Sequence, residues 1–413
     1  GTAVKKLLCL LLTLAAMAAL SLPASAATYT RADFAEMGIE DYDYYQRFRG
    51  QNITLDVFNW GEYVSDGADG SLDVIRAFQD LTGIRVNYTT FASNEDMYAK
   101  LQSGSSYDIL VPSDYMIARL IKEGMLQKLD YSNIPNYKYI DDLYKDLECD
   151  PTNEYMVPYN WGVVGLIYNT TMTDEEITSW ESLWDPKYIG NILMFSNSRD
   201  AFGIALRLCG YSMNTTDEAE LAEAAQKLKE QKMLVQMYVM DEIFDKMEGG
   251  EAIIAPYYNG DAVTMIAENP DLTMVYPEEG CNFFVDGFVI PKNAQHREAA
   301  EMFINFMQEP AVAMANYEYL GYSTPNTAVY EALDEETRND PICFPPKEVI
   351  NNTEVFAALP EETGEYVDRA WVDIRSYNEN PNQWVGPVFL GVCFVGSIVI
   401  LILRSTHAKK NRY

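Results

Sequence analysis

Ile53, Leu55 and Val57 alternate with polar neighbours at the period of a half-buried strand. Val74, Phe78 and Leu81 then recur at helical spacing up to Gly83. Ile84, Val86 and Tyr88 alternate again, and Asn94 opens a helix carrying Met97 and Leu101 that Gly104 closes. Residues 108–111 read as a short apolar strand. Ser113 or Asp114 caps the helix after it, which carries Ile117, Leu120 and Ile121 and stops at Gly124. This βαβαβα order predicts a mostly parallel, doubly wound sheet. Ligands of such sheets lie beyond the carboxyl ends of the strands, here residues 59–63, 90–94 and 112–115.

A second alternating stretch starts near Val157. Its candidate strands are 163–168, 192–195, 253–257 and 272–275, with helices near 202–209, 217–232 and 241–248. Thr215-x-x-Glu218 reads as a capping box for the second of these helices. About 350 residues lie between the two apolar ends of the chain, more than one doubly wound domain needs, so two lobes are expected.

The ends predict export. Lys5-Lys6, an apolar run over 7–20 and Ala24-x-Ala26 read as a signal peptide spanning 1–26. Residues 385–403 carry no charge over 19 positions and are followed by Arg404, Lys409, Lys410 and Arg412. That pattern predicts a C-terminal transmembrane helix, with 404–413 as a cytoplasmic tail and the main body outside. Cys149, Cys209, Cys281 and Cys343 allow either two disulfides or free thiols.

Charge narrows the chemistry. The chain has 62 Asp+Glu against 30 Lys+Arg. Outside the two ends there are 24 bases against 62 acids, a net charge of −38. With 29 Tyr, 17 Phe and 6 Trp, this composition suits a small organic cation, which carboxylates pair with and ring faces cover. It does not suit nucleic acid, whose phosphates call for a basic face. Only two histidines are present, His296 and His407. Nucleophile elbows, zinc motifs, P-loops and dinucleotide fingerprints are missing, so no cofactor or metal site is expected. Asp66, Asp69 and Asp73 in a Gly-rich turn lack EF-hand spacing and read as helix-capping acids.

Several segments resemble the spermidine/putrescine-binding proteins of polyamine ABC transporters. They include Phe58-Asn59-Trp60-Gly61-Glu62-Tyr63, Tyr107-Asp108-Ile109-Leu110-Val111-Pro112-Ser113, Val157-Pro158-Tyr159-Asn160-Trp161-Gly162 and Gly321-Tyr322-Ser323-Thr324-Pro325-Asn326. The resemblance runs in order over about residues 52–350. It implies a two-lobed α/β periplasmic-binding-protein fold of type II, with the ligand cleft between lobes. Residues 52–160 and 287–330 would form one lobe, and 161–286 and 331–378 the other. The implied function is capture of a polyamine and delivery to a membrane permease, without catalysis. Carried over by motif, the cleft residues are Trp60, Tyr63, Ser113 and Tyr115 from the first lobe, then Asn197, Asp200, Tyr258, Phe284, Asp286 and Tyr322.

The chain departs from the family pattern at several of these positions. Asn197 stands where spermidine binders have an acid, Tyr258 and Phe284 stand where they have tryptophans, and Phe356 falls where a polar contact is expected. Asp286 lies in an apolar run, where an acid is either paired or functional because an unpaired buried charge is too costly. Rival readings are a binder of another small cationic solute, a surface glycan hydrolase using two carboxylates, and a sensor ectodomain.

Overall fold

A computed structural model describes residues 28–321 and 323–377. Strands β1 (Thr54–Trp60), β2 (Arg85–Phe91) and β3 (Ile109–Leu110) form a parallel sheet in the order β2-β1-β3. The alternation at 53–57 marks β1, whose pleat buries Leu55 and Val57. Helix α1 (Arg31–Glu36) lies ahead of the sheet; α2 (Val74–Thr82), α3 (Asn94–Gln102) and α4 (Asp114–Lys122) alternate with its strands. Asp73 caps α2 by accepting the Arg76 amide, and Gly83 ends it at a positive φ of 71°. Ser93, not Asn94, caps α3.

The second sheet has seven strands and is mixed. β4 (Val157–Asn169), β5 (Ile192–Phe195), β6 (Val235–Val239), β7 (Ile254–Tyr258), β8 (Leu272–Val275), β9 (Cys281–Phe288) and β10 (Thr353–Glu354) run in the order β10-β9-β4-β7-β5-β6, with β8 on β4. Three of these strands, β6, β9 and β10, have no counterpart in the reading of the sequence. Helices α5 (Ser198–Leu208), α6 (Glu218–Lys232), α7 (Glu242–Glu248) and α8 (Asn259–Glu268) belong to this lobe. α6 is capped by Asp217, which accepts the Ala219 and Glu220 amides. The Thr215/Glu218 capping box is therefore corrected: the Thr215 hydroxyl donates to Glu220 instead.

β4 is buried at all 13 positions, and with β9 it carries the chain between the lobes. Beyond β9, the strand continues into the first lobe, where Val289 and Leu110 exchange both backbone hydrogen bonds. Helices α9 (Arg297–Met307) and α10 (Pro310–Leu320) then complete the first lobe. Phe78, Phe288, Phe303 and Phe306 centre its core, while Trp180, Phe195 and Phe202 centre the other; Trp60 packs against both. All four cysteines of the described part are unpaired thiols.

The fold class expected from the sequence needs one correction. The two-lobed α/β architecture stands, but the described residues include no membrane helix. Among the described residues no helix is long and apolar enough to cross a bilayer. Residues 1–26 and 385–413, read above as signal peptide, span and tail, lie outside the described residues.

Candidate functional site: a cleft with an acid at each end

At the first-lobe end, Asp286 lies in β9 and is almost fully buried. Its Oδ1 accepts the Ser113 hydroxyl at 2.7 Å, and its Oδ2 accepts the Tyr63 hydroxyl. Ser113 occupies the N-cap position of α4 but makes no side-chain cap bond, so its hydroxyl is free to face the strand. Its amide is held by Asn94 Oδ1 at 3.0 Å. Tyr63 is fixed in turn by Tyr159, whose hydroxyl donates to the Tyr63 carbonyl at 2.5 Å. Burial pushes the Asp286 carboxyl up to about 6, against the lowering effect of its two hydroxyl donors.

Beneath it lies a second acid. Asp114 accepts the amides of Val285 at 3.1 Å and Tyr115 at 2.6 Å. Burial nevertheless raises its carboxyl to about 8, with the Asp286 charge adding to the rise. Both acids of this end therefore resist ionisation, Asp114 more than Asp286.

The second-lobe end is built on the first turn of α5. Asn197 caps the helix by accepting the Asp200 amide at 2.8 Å, and its Nδ2 donates to Asp200 Oδ2 at 2.9 Å. The Tyr258 hydroxyl donates to the same oxygen at 2.7 Å. Burial again raises the carboxyl, opposed by these donors and by the Arg199 charge. Tyr258 ends β7, with its ring 5.4 Å from Phe195 and 5.2 Å from Phe284 between centroids. Phe284 lies two residues before Asp286 and so shares its face of β9. It thus links the two ends. Gly162 makes room for it: a Cβ there would meet the Phe284 ring at 2.5 Å.

Two buried acids, each held by neutral donors, thus flank the Tyr258–Phe284 ring pair where β4 and β9 pass between the lobes. Neither acid has an ion-pair partner among the described residues. Known proteins bear on this directly. The profile of the family "Bacterial extracellular solute-binding protein" matches residues 73–346, most of the chain. The chain belongs to that family.

Among relatives of this solute-binding protein, the spermidine/putrescine-binding periplasmic protein of Escherichia coli (strain K12) is 38% identical over 306 residues, covering 73% of this chain and 86% of its own. A putrescine-binding periplasmic protein of Pseudomonas aeruginosa (strain UCBPP-PA14) is 31% identical over 345 residues, covering 79% and 92%. The solved spermidine/putrescine ABC transporter substrate-binding protein of Streptococcus pneumoniae is 35% identical, with a TM-score of 0.69 over 78% of this chain and 99% of its own.

The solute-binding protein brings most of the residues read from its sequence into two hydrogen-bonded groups, Ser113–Tyr63–Asp286 and Asn197–Asp200–Tyr258, joined through Phe284. Trp60 and Tyr115 stand at the edges. The Trp60 indole N–H donates to the Val111 carbonyl at 2.8 Å, and its ring lies 4.6 Å from Phe91. The Tyr115 hydroxyl donates to Glu95 at 2.8 Å and accepts from Asn94 at 3.0 Å. Tyr322 lies outside the described residues.

Sequence reasoning missed Asn94, Asp114 and Arg199. Asp114 carried a signal, since it follows Pro112-Ser113 at the end of a strand, but it was read only as a possible cap. Arg199 carried none, because an arginine in the first turn of a helix looks like any surface base.

Proposed function

We propose that the chain is the solute-capturing component of an ABC importer and that it binds a protonated polyamine in this cleft. The carrying observation is the pair Asp286 and Asp200, both buried and both held only by neutral donors. A buried ionised carboxylate is costly unless a cation joins it. Ammonium groups of the ligand supply that cation, and the Phe284–Tyr258 rings cover the methylene stem.

Trp60, Tyr63, Ser113 and Tyr115 would contact the ligand from one lobe, and Asn197, Asp200, Tyr258 and Phe284 from the other, with Tyr322 completing the set. The crossing of β4 and β9 supports lobes of 52–160 with 287–330 and of 161–286 with 331–378. Hinge closure about those strands would enclose the ligand, and the closed form would dock on the permease. The acidic surface raises the local concentration of cations and their on-rate in a salt-dependent way.

Thermal unfolding with putrescine, spermidine and spermine tests the reading. Free ligand at about 100 times its Kd contributes about 2.7 kcal/mol and raises the Tm. No shift with any of the three at millimolar concentration overturns it.

A further inference from the structure

One buried cation lies where residues of the two lobes meet. Arg199 precedes Asp200 on α5. Its Nη2 donates to Asn214 Oδ1 at 2.9 Å and to the Ala357 carbonyl at 3.0 Å. The guanidinium lies over the Phe356 ring, 4.5 Å from its centroid, and 5.7 Å from that of Tyr115. The two rings meet at 6.5 Å, edge to face. Phe356 follows β10 in the second lobe, whereas Tyr115 lies in the first turn of α4 in the first, so this contact joins the two lobes. Asp114, Asp200 and Glu95 all direct their charge at the guanidinium. Its Nε is buried with no hydrogen-bond partner among the described residues.

A cation on aromatic faces, surrounded by acids from both lobes, is the environment a ligand ammonium would seek. Here the protein supplies that cation itself. We propose that Arg199 fills one end of the slot and makes the site selective for diamines over triamines. The proposal rests on the polyamine reading above and narrows it. Asp286 and Asp200 remain for two ammonium groups. A third would face the guanidinium, and like charges brought together cost several kcal/mol. Phe356 reinforces the block, because an apolar ring offers the third amine no acceptor and holds the guanidinium in place. A longer ligand must therefore displace a contact that closes the two lobes on each other.

Titration calorimetry of putrescine (1,4-diaminobutane) and spermidine against one preparation of the chain reads the ratio of the two affinities. The expected result is putrescine tighter by about tenfold or more. Arg199→Gln should narrow or invert that ratio, and Arg199→Lys, which keeps the charge, should retain the preference. Circular dichroism confirms that each variant is folded. Spermidine binding the wild type as tightly as putrescine overturns the proposal, and so does an unchanged ratio in folded Arg199→Gln. Should that variant not fold, the wild-type ratio alone decides. Binding of neither amine would instead overturn the polyamine reading beneath it.

Discussion

Asp286 and Asp200 place the same carboxylate at the two ends of one cleft, yet the chain builds their surroundings in different ways. Asp200 is held largely from nearby: Asn197, three residues earlier, caps the helix and donates to the same side chain. Asp286 sits mid-strand and takes its donors from Ser113 and Tyr63, 173 and 223 residues away. One acid is thus positioned by a helix turn, the other by the assembly of three separate segments. The difference matters for binding. Asp286 is rigid only when the first lobe is complete, and its removal strands two hydroxyls as well as any ligand amine.

That asymmetry predicts unequal losses. Asp286→Asn should weaken polyamine binding by about 2–5 kcal/mol, the range for orphaning a buried charge partner. Asp200→Asn should cost about 1.5–3 kcal/mol, the range of a hydrogen bond to a charged group. Calorimetry on both variants orders them. A larger loss at Asp200 would reverse the comparison, and an unchanged affinity in Asp286→Asn would remove that acid from the site.

The second way to break the comparison is pH. The Asp286 carboxyl rises from 3.8 to about 6 in the ligand-free fold. Between those values the folded chain holds a proton that the unfolded chain has lost. This acid's contribution to stability therefore falls as pH rises through the window. Ligand binding runs the other way, because an ammonium group favours the ionised acid. Affinity should fall by up to about tenfold per pH unit as pH drops below 6, with protons released on binding. Calorimetry in buffers of different ionisation enthalpy measures that release. Asp286→Asn should diminish the response between pH 5 and 6, leaving only what Asp200, whose carboxyl burial also raises, supplies; an undiminished response would show that Asp286 does not carry it.

How much of this was legible in the sequence follows the same division. The first-lobe strands and helices could be read because Ile53, Leu55 and Val57 alternate and because Gly83, Gly104 and Gly124 stop the helices. β9 was not read as a strand, since residues 283–290 are apolar on both faces where the strand is buried between lobes, which leaves no alternation to see. Asp200 and Asn197 lie within one turn and could both be picked out locally, but that Asn197 caps the helix was not read. Asp286 drew attention only as an acid in apolar company. Asp114 and Arg199 were missed because a cap and a surface base have the same local pattern as a buried acid and a stacked guanidinium. Only contacts far off in the sequence tell them apart: Val285 for Asp114, and Asn214, Phe356 and Ala357 for Arg199.

The smallest expected effect tests what the second-lobe end uses to hold its ligand. Tyr258→Phe keeps the ring contacts with Phe195 and Phe284 but removes the hydroxyl that donates to Asp200 Oδ2. Asn197 Nδ2 still reaches that oxygen at 2.9 Å, so the carboxylate keeps one donor and its orientation. The loss in affinity should be about 0.5–1.5 kcal/mol, the net value of one intramolecular hydrogen bond. It arises because the carboxylate is harder to ionise without its second donor, so the loss should shrink as pH rises. A loss as large as that of Asp200→Asn, and independent of pH, would show that the hydroxyl touches the ligand directly. The second-lobe end would then depend on two residues, and its contrast with the first would narrow.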